Sequence, residues 1–524
     1  MTDNKNKNLI FIPIIVSILL ALYLTLTTNG PLSWDVYTHI NYALAYMMNG
    51  ITTVDPLLNA PTGKTIGYAP LFHFILIGLS KCVGSNLLRA AEILQPVLAC
   101  ISTIIVVYVS NKFYDRLSAA ASGLLLLSSF MFTRLILPIP ETIAVIFFTL
   151  AVYFYYISID KEKYIYIIYS VIMTLLILSV HFSTFVYVTL IITVLSVIYL
   201  LVSRKIWVIK SYILWIIPLI AMLALGFILL SMISPDKASS LFSGVMSIIS
   251  NPLSLFMGQK AMGLERYIKC VGILPLIFGI IGLYYSIKNK KHVFICIWAL
   301  VAFIVTNLHW IGIPVYTYRL LIYFVVPASI LGGYGFSQFL DEVSTRYKNI
   351  TSILIAAFII LTVISACISL TDESVKYSSV TTEQSTFHIA PPLGEEQEVI
   401  DYFKSQNATN KSVLTNNLFF GMIISSNKAI PLHYSFDIYA SPSSRKASYS
   451  YLEKENIGYI VYDKSLVLNN STEYTPLDVV FVEADYYPVY YFTNKITENN
   501  FNSIQVSGTT KVFENNKYIV CKVQ

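Results

Sequence analysis

Residues 30–44, which follow an apolar run, contain the first side chains in this chain that could do chemistry. Asp35 and His39 are four positions apart, so a helix would place them on one face. A carboxylate and an imidazole held together can perform acid–base chemistry or bind a metal ion, which makes both residues catalytic candidates. The alternative is an interfacial turn in which Trp34 and Tyr37 lie among lipid headgroups. The pattern leaves both interpretations open.

A second acidic side chain, Glu141, lies in residues 133–142 together with Arg134. Pro140 suits the first turn of a helix, and the helix dipole stabilises a negative charge at that end. Dipole complementation is therefore the alternative explanation for Glu141. Two carboxylates from separate loops can nevertheless meet over one cleft, as acid–base or metal chemistry requires.

Other ionisable side chains lie between the apolar runs. Asp55 and Lys64 add an acid and a base to the first loop, and a short apolar helix begins just before His73. His181 and His309 lie at tight corners between apolar segments. A single histidine at such a corner is typical of a hydrogen-bonded structural residue.

The chain as a whole has the composition of a polytopic membrane protein. Of its 524 residues, 56% are hydrophobic and 12% are charged, whereas about 25% of the residues of a soluble domain are charged. The mean hydropathy is +0.66. Residues 9–27 form the first apolar run, and no small-residue cleavage pattern follows, which indicates a retained membrane anchor. The six cysteines have neither the spacing of a disulfide framework nor that of a zinc site.

About eleven apolar segments are predicted to span the membrane. They comprise residues 9–27, 88–110, 117–133, 140–158, 164–182, 184–202, 211–233, 269–287, 292–308, 319–340 and 351–370. Clustered Lys and Arg occur in four short connections, residues 160–163, 203–210, 288–291 and 344–348. The positive-inside rule places these four connections in the cytoplasm.

This sidedness places the N-terminus in the cytoplasm and the candidate acids on the outer face of the cell membrane. Residues 69–83 are too short for a full crossing, which would also reverse every basic loop, so they are predicted to form a re-entrant or interfacial helix. The outer face then receives residues 28–87, 133–141, the corner at His181, residues 234–268 and 309–318, and everything beyond residue 370.

Residues 371–524 differ in composition from the rest of the chain. They contain 12 Lys and Arg against 17 Asp and Glu, a net charge of −5, whereas the preceding residues carry +11. Short alternating apolar runs beside a helical segment are typical of a small α/β domain. We therefore predict a multi-pass membrane domain over residues 1–370, with outer loops 28–87 and 234–268, and an extracytoplasmic α/β domain over residues 371–524.

These features, in this order, resemble the GT-C superfamily of polyprenyl-phosphate-dependent glycosyltransferases, which includes mannosyltransferases and arabinosyltransferases. Residues 34–37 place an acid in an aromatic setting after the first membrane helix, residues 70–73 read Pro-Leu-Phe-His, and residues 134–141 form an outer turn with Arg and Glu at its ends. The resemblance covers residues 1–340 in layout. The tail looks like the extracytoplasmic domain that many members carry.

The resemblance implies transfer of a sugar, on the outer face, from a polyprenyl-phosphate donor to a lipid, glycan or protein acceptor. It implies that Asp35 activates the acceptor and that Glu141 has a helper or metal-associated role. Inversion at the anomeric carbon would need one base and no covalent intermediate, by analogy with inverting glycosidases. A divalent cation held by these two acids is a candidate cofactor, but the chain has one Asp where some members have an acidic pair. It also lacks the Trp-Trp-Asp acceptor motif of oligosaccharyltransferases, which disfavours transfer of a whole oligosaccharide to protein. No nucleic-acid partner is expected.

Such a reaction needs cations for the departing phosphate. Lys260, Arg266 and Lys269 lie in an outer loop, and Arg319 opens a helix at the outer surface. Arginine suits a phosphate because its guanidinium is a planar fork, although contact with lipid headgroups is the alternative for the loop residues. The predicted substrate-binding set comprises Arg319, Arg266, Lys269, His73, Arg134 and Tyr37.

Two other functions compete with this interpretation. A lipid-linked sugar flippase or transporter would carry polar residues at mid-membrane in broken helices. Here the helix centres are nearly free of charge and the acids lie at the outer rim, which favours an enzyme. A structural anchor for the external domain would need a single span and would leave about ten helices unexplained.

Overall fold

The computed structural model describes residues 8–233, 235–250, 264–289, 292–313, 317–347, 350–371, 394–406, 411–434, 436, 448–468, 479–484 and 487–524. Contacts between residues divide the chain into two compact units. The first comprises Met1–Leu24 and Gln95–Val375, and the second comprises Thr25–Leu94 and Lys376–Gln524. Composition alone separates the chain at residue 370, whereas the contacts place the first loop with the tail.

Up to residue 371, the residues that the structure describes form helices and one short strand pair. In order, the described elements are α1 (Phe11–Thr27), α2 (Trp34–Asn49), β1 (Val54–Asp55), β2 (Lys64–Thr65), α3 (Leu71–Val83), α4 (Leu87–Phe113), α5 (Arg116–Ser128), α6 (Phe132–Ile136), α7 (Pro140–Lys161), α8 (Tyr164–Val180), α9 (Phe182–Ser203), α10 (Ile206–Ile233), α11 (Pro235–Ser250), α12 (Leu264–Val271), α13 (Ile273–Lys288), α14 (Val293–Thr306), α15 (Thr317–Arg346) and α16 (Thr351–Thr371). A short 3-10 helix, Leu308–Ile311, lies between α14 and α15.

A helix occupies each of the eleven predicted spans. Among the described residues, six helices are long and apolar enough to cross a membrane, namely α4, α7, α9, α10, α15 and α16. The other predicted spans correspond to the shorter apolar helices α1, α5, α8, α13 and α14. The polytopic α-helical class is therefore confirmed, whereas the number of crossings and the re-entrant path of α3 stay predictions.

Two of the predicted spans contain helix breaks that the hydropathy pattern does not reveal. The segment predicted over residues 117–133 stops as a helix at Ser128, and the segment predicted over 269–287 is interrupted at Gly272. Gly272 has a φ of +91°, which glycine adopts without the clash that a Cβ would cause. The two breaks meet, because the hydroxyl of Ser129 donates to the carbonyl of Cys270 at 3.1 Å. Apolar residues flank both breaks, so a hydropathy window passes over them.

Glycines let α13 pack closely against α15. A Cβ on Gly282 would overlap the carbonyl oxygen of Leu331, and a Cβ on Gly335 would overlap that of Phe278. Both obstacles are backbone atoms, which cannot move aside as a side chain can. Close backbone approach through small residues is a general means of associating helices in membranes, where van der Waals packing replaces the hydrophobic effect.

The tail adds an α/β arrangement to the second unit. Its described elements are α17 (Gly394–Ser405), β3 (Ser412–Thr415), α18 (Leu418–Lys428), β4 (Leu432–His433), α19 (Ser448–Lys454), β5 (Ile457–Asp463), β6 (Val479–Ala484), β7 (Tyr487–Phe492), α20 (Glu498–Phe501), β8 (Thr509–Glu514) and β9 (Tyr518–Val523). Five strands form one sheet in the order β4-β3-β5-β9-β8, and β6 pairs with β7. β3 runs parallel to β4 and β5, and β9 runs antiparallel to β5 and β8. The predicted α/β character of the tail is confirmed.

The first loop is built into this α/β unit. The carbonyl of Leu57 accepts the N–H of Leu432 at 2.7 Å, and the N–H of Ala60 donates to the carbonyl of Leu432 at 2.9 Å. Leu58 thereby forms a parallel bridge with the edge strand β4. Tyr37, Tyr42 and Leu58 also belong to one apolar cluster with residues of α17, α18, β3, β5 and β9. The loop therefore covers an edge of the sheet that would otherwise expose unpaired backbone groups.

We predict that Gly282→Ala destabilises the helical unit by about 1–3 kcal/mol, because the added Cβ would overlap a backbone carbonyl in a tightly packed contact. Gly279→Ala is the matched control on the same face of α13, since its Cβ would meet the nearest atom, the carbonyl oxygen of Ala328, at 3.6 Å. Thermal unfolding in detergent measures the difference. Equal melting temperatures for the two variants would contradict the packing described for α13 and α15.

Candidate active site

Asp35 lies in the first turn of α2, which starts after Ser33. Its carboxylate is half-buried, and within the part of the chain that the structure describes it accepts no hydrogen bond and pairs with no cation. The side chain of Ser33 forms no capping bond, and Asp35 is the acidic residue in the first turn of this helix. The helix dipole stabilises a carboxylate there without consuming its oxygens.

The tail holds α2 in place. Thr38 donates from its hydroxyl to the sulfur of Met422 on α18 at 3.1 Å, and the amide of Asn41 donates to the carbonyl of Met422 at 3.3 Å. Both polar side chains are buried, as are Val36 and Ile40 on the same helix. Because α2 is buried on several faces, the position of Asp35 is fixed by packing within the second unit.

His39 contacts a second histidine instead of solvent. Its Nδ1 lies 3.1 Å from Nε2 of His73 on α3, and both rings are buried. One nitrogen of such a pair must donate and the other accept, so the pair holds a shared N–H. Burial lowers the pKa of His73 to about 4, which keeps this ring neutral near pH 7. Tyr68 and Phe72 pack edge-on against His39, at 4.7 and 5.4 Å between ring centres.

Asp55 and Lys64 form the paired ends of β1 and β2. Asp55 is fully buried, and its Oδ1 accepts the N–H of Leu57 at 2.8 Å. Burial raises the pKa of Asp55 to about 6, against the opposing effects of backbone hydrogen bonds and of Lys64. Burial also lowers the pKa of Lys64 to about 8, and this ammonium donates to the hydroxyl of Tyr434 at 3.2 Å. Asp55 is therefore a structural acid at the junction of loop and sheet.

In the first unit, the predicted outer turn is a fixed structure. Pro140 is the first residue of α7 and Glu141 lies in its first turn, as the sequence predicts. Glu141 forms a short ion pair with Arg134 of α6, and the two side chains are 12% and 18% exposed. The hydroxyl of Thr142 donates to the carbonyls of Arg134 at 2.9 Å and Leu137 at 2.8 Å. In this turn the ion pair fixes the guanidinium of Arg134, and the carboxylate of Glu141 is not free.

A second set of hydrogen bonds in the helical unit begins at His181. Nδ1 of His181, at the corner between α8 and α9, is 2.7 Å from the hydroxyl of Thr184, and this hydroxyl is 2.5 Å from that of Tyr323 on α15. Thr184 and Tyr323 are buried. Sequence reasoning found His181 but missed Thr184 and Tyr323, since nothing distinguishes them from the other Thr and Tyr of the apolar helices.

The remaining predicted residues are placed as follows. Tyr37 is buried in the apolar cluster, its hydroxyl donates to the carbonyl of Pro31 at 3.2 Å, and burial raises its pKa. Lys269 is exposed on α12. Lys260 and the side chains of Arg266 and Arg319 lie outside the described residues.

No metal centre is built by the described residues. They contain no group of three or more His, Cys, Asp or Glu side chains that could hold a metal ion. Asp35 belongs to the second compact unit and Glu141 to the first, so their predicted meeting over one cleft, and the divalent cation between them, stay predictions.

Solved structures with a similar fold exist, although no protein-family model and no curated protein sequence matches the chain. ArnT from Cupriavidus metallidurans bound to undecaprenyl phosphate matches with a TM-score of 0.61 at 10% identity, covering 91% of this chain and 97% of ArnT. The archaeal oligosaccharyltransferase AglB from Archaeoglobus fulgidus, in complex with an inhibitory peptide and a dolichol-phosphate, matches with a TM-score of 0.59 at 12% identity, covering 89% of this chain and 70% of AglB. The arabinofuranosyltransferase AftD from Mycobacteria matches with a TM-score of 0.50 at 10% identity, covering 98% of this chain and 41% of AftD. At these identities the similarity is one of fold.

The pKa of Asp55 leads to a pH-dependent prediction for its removal. The carboxyl ionises near 3.8 when unperturbed and near 6 in the folded protein. Between these values the unfolded chain has lost a proton that the folded chain retains, so rising pH destabilises the folded state until Asp55 ionises near 6. The resulting decrease in the free energy of unfolding is absent below pH 3.8 and complete above about pH 6. Lys64, with its pKa near 8, stays charged over this range.

We expect Asp55→Asn to remove this cost, which is at most about 3 kcal/mol. The melting temperature of the variant relative to wild type should rise between about pH 4 and pH 6.5 and then level off. Asp401→Asn is the control, because Asp401 is exposed on α17 beside Lys404. A stability difference for Asp55→Asn that does not vary with pH would contradict the burial of its charge.

Proposed function

We propose that this chain, whose fold is GT-C-like, transfers a sugar from a polyprenyl-phosphate-linked donor to an acceptor on the outer face of the cell membrane. Support comes from the fold and from the chemistry available in the outer loops. The reaction needs a base for an incoming hydroxyl and cations for a departing phosphate. The acceptor is a lipid, glycan or protein that supplies this hydroxyl, and the N-terminus lies in the cytoplasm by the distribution of basic loops.

The environment of Asp35 is the observation that carries the proposal. Asp55 is buried and accepts a backbone hydrogen bond, and Glu141 is paired with Arg134. Asp35 is half-buried at a helix end and has neither kind of partner among the described residues. Of these three acids, it is the one with oxygens available to an acceptor.

In the proposed mechanism, Asp35 takes the proton of the acceptor as the acceptor atom attacks the anomeric carbon of the donor sugar. The bond between that carbon and the phosphate oxygen breaks, and polyprenyl phosphate leaves with the bonding electron pair. One base suffices, and a single displacement inverts the anomeric configuration. The packing of α2 on α18 would keep the base in place during the reaction, because misplacement of a catalytic group is costly in rate.

We assign the phosphate side of the reaction to the outer end of the helical unit. Arg134 carries a delocalised charge that can form two parallel hydrogen bonds with a phosphate. Glu141 would orient Arg134 and so act as a helper through this pair. Lys269, Arg266 and Arg319 are the further cations proposed for the lipid phosphate. The buried His39, His73 and Tyr37 are proposed to hold α2 and α3 in position.

We predict that Asp35→Asn lowers kcat for transfer by about 10²–10⁴-fold, because the amide cannot take the acceptor proton. The assay supplies radiolabelled polyprenyl-phosphate sugars to purified protein in proteoliposomes. Asp55→Asn is the matched control, since it removes a carboxylate from the same loop and should retain transfer. Gel filtration in detergent checks that both variants are folded.

Three outcomes separate the alternatives. Loss of transfer in Asp35→Asn alone supports the proposal. Unchanged transfer moves the base to another residue, Glu141 first. Movement of the labelled lipid between leaflets without transfer by the wild type would favour a lipid-linked sugar flippase instead.

A further inference from the structure

One face of α2 carries Asp35 in its first turn and three ring side chains behind it, those of His39, Tyr42 and Tyr46. The four positions are spaced i, i+4, i+7 and i+11, which is the spacing of a single helix face. Asp35 is half-buried, whereas the three rings are buried. Other residues therefore cover this face from His39 onward, and the face is less covered at Asp35.

The covering residues come from α3 and from the segment just before it. Near the C-terminal end of α2, Tyr46 packs against Phe74, with 5.4 Å between the ring centres. Two turns closer to the N-terminus, His39 packs against Tyr68 at 4.7 Å. Moving along α2 towards its N-terminus thus moves the contact to an earlier residue of the covering segment. Tyr68 consequently lies at the end of this segment that is nearest to Asp35.

Tyr68 differs from the rings that it covers because part of it faces outward. It is 41% exposed, and the preceding Gly67 is also exposed. Within the described part of the chain, a Cβ added to Gly67 would meet no atom within 4 Å. Asp35 lies one helical turn beyond His39, about 5 Å along α2. An exposed ring and a half-buried carboxylate are therefore separated by a span comparable to the width of a six-membered sugar ring.

The two ends of this helix pair differ in chemistry. At the C-terminal end of α2, Met47, Met48 and Ile51 are exposed, and so is Phe74, which packs on Tyr46. Such a purely apolar set suits lipid chains. The end at Tyr68 combines an aromatic ring with the carboxylate of Asp35. A tyrosine among lipid headgroups is the alternative for Tyr68, but an anionic headgroup phosphate would be repelled by this carboxylate.

A sugar ring has the two surfaces that this end of the helix pair would recognise. Its C–H groups form an apolar face that packs on an aromatic ring, and tyrosine offers such a ring with a large apolar area. Its hydroxyl groups point outward from the edge of the ring and can donate to a carboxylate, which only accepts. One ligand can therefore contact Tyr68 and Asp35 at the same time.

We propose that Tyr68 binds a sugar ring of the acceptor, so that the acceptor of the transfer reaction is a glycan. The apolar face of the sugar packs on the ring of Tyr68, and a hydroxyl of this sugar, or of the sugar joined to it, reaches Asp35. This inference rests on the proposed function. Glycolipids and glycoproteins share this chemistry, and the acceptors chosen below distinguish them.

The first test measures sugar binding without transfer. Saturation-transfer difference NMR is recorded for a panel of methyl pyranosides with the purified protein in nanodiscs, in the absence of glycoside detergents. The wild type should transfer saturation to the C–H groups of one sugar face. Tyr68→Leu should reduce this signal about three- to tenfold, because leucine fills the space beside His39 but offers no flat ring.

Two further variants test whether the ring itself is responsible. Tyr68→Phe keeps the ring and should retain the signal. Phe74→Leu is the matched control, since Phe74 is a 40% exposed ring at the opposite end of the same helix pair, and it should also retain the signal. Melting temperatures check that all variants are folded. Equal signals in Tyr68→Leu and Phe74→Leu, or no signal for the wild type with any pyranoside, would overturn the inference.

The second test measures transfer to three acceptors, namely an alkyl glycoside, a glycopeptide and an alkyl glycerol that has no sugar ring. The wild type should prefer one or both of the sugar-bearing acceptors. Tyr68→Leu should raise KM for these acceptors about three- to tenfold with kcat and the KM of the donor unchanged, because it removes binding that the ground state and transition state share. Asp35→Asn should instead lower kcat.

The outcomes separate this inference from the proposed function. Transfer that prefers the alkyl glycerol, or that is unaffected by Tyr68→Leu, would overturn the glycan acceptor and leave glycosyl transfer in place. Preference for the alkyl glycoside over the glycopeptide would identify a glycolipid, and the reverse a glycoprotein. If the pyranosides bind through Tyr68 but the wild type transfers no sugar, the proposed function fails, whereas the sugar-binding role of Tyr68 remains.

Discussion

The packing of α2 against α18 is the contact on which the candidate active site depends. Thr38 and Asn41 of α2 bond to Met422 of α18, and apolar residues of both helices lie in one buried cluster. Asp35 is part of α2, so its position is set by the tail and not by the apolar run that precedes it. The tail is therefore a structural component of the candidate site. A substitution in the core of the tail should shift the carboxylate of Asp35.

In the second unit, the aspartates Asp35 and Asp55 have the same side chain but different surroundings. Asp55 is buried, hydrogen-bonded and has a raised pKa, which suits a residue that joins a loop to a sheet edge. Asp35 stays half-buried at a helix N-terminus. Pairs of titratable groups with contrasting surroundings commonly have different roles in catalysis. In this chain the contrast separates a structural acid from a candidate base within one loop.

In the helical unit, burial among apolar helices favours the pairing of polar groups. Arg134 and Glu141 form an ion pair, and Thr184 connects His181 with Tyr323. An unpaired group in such surroundings would cost several kcal/mol or would change its protonation state. These pairings concentrate buried polar contacts of the helical unit into a few hydrogen-bonded groups.

The sequence by itself determined the helices, their membrane class, the α/β character of the tail and the helical start at Pro140, because hydropathy, turn residues and capping preferences act over a few neighbouring residues. It also identified Asp35 and Glu141 as candidates by residue type. Only the tertiary structure decided that the loop carrying Asp35 joins the tail through Leu57 and Leu432, and that His39 contacts His73. These contacts join residues far apart in the chain, and their energies depend on burial and close packing, for which the local pattern carries no signal.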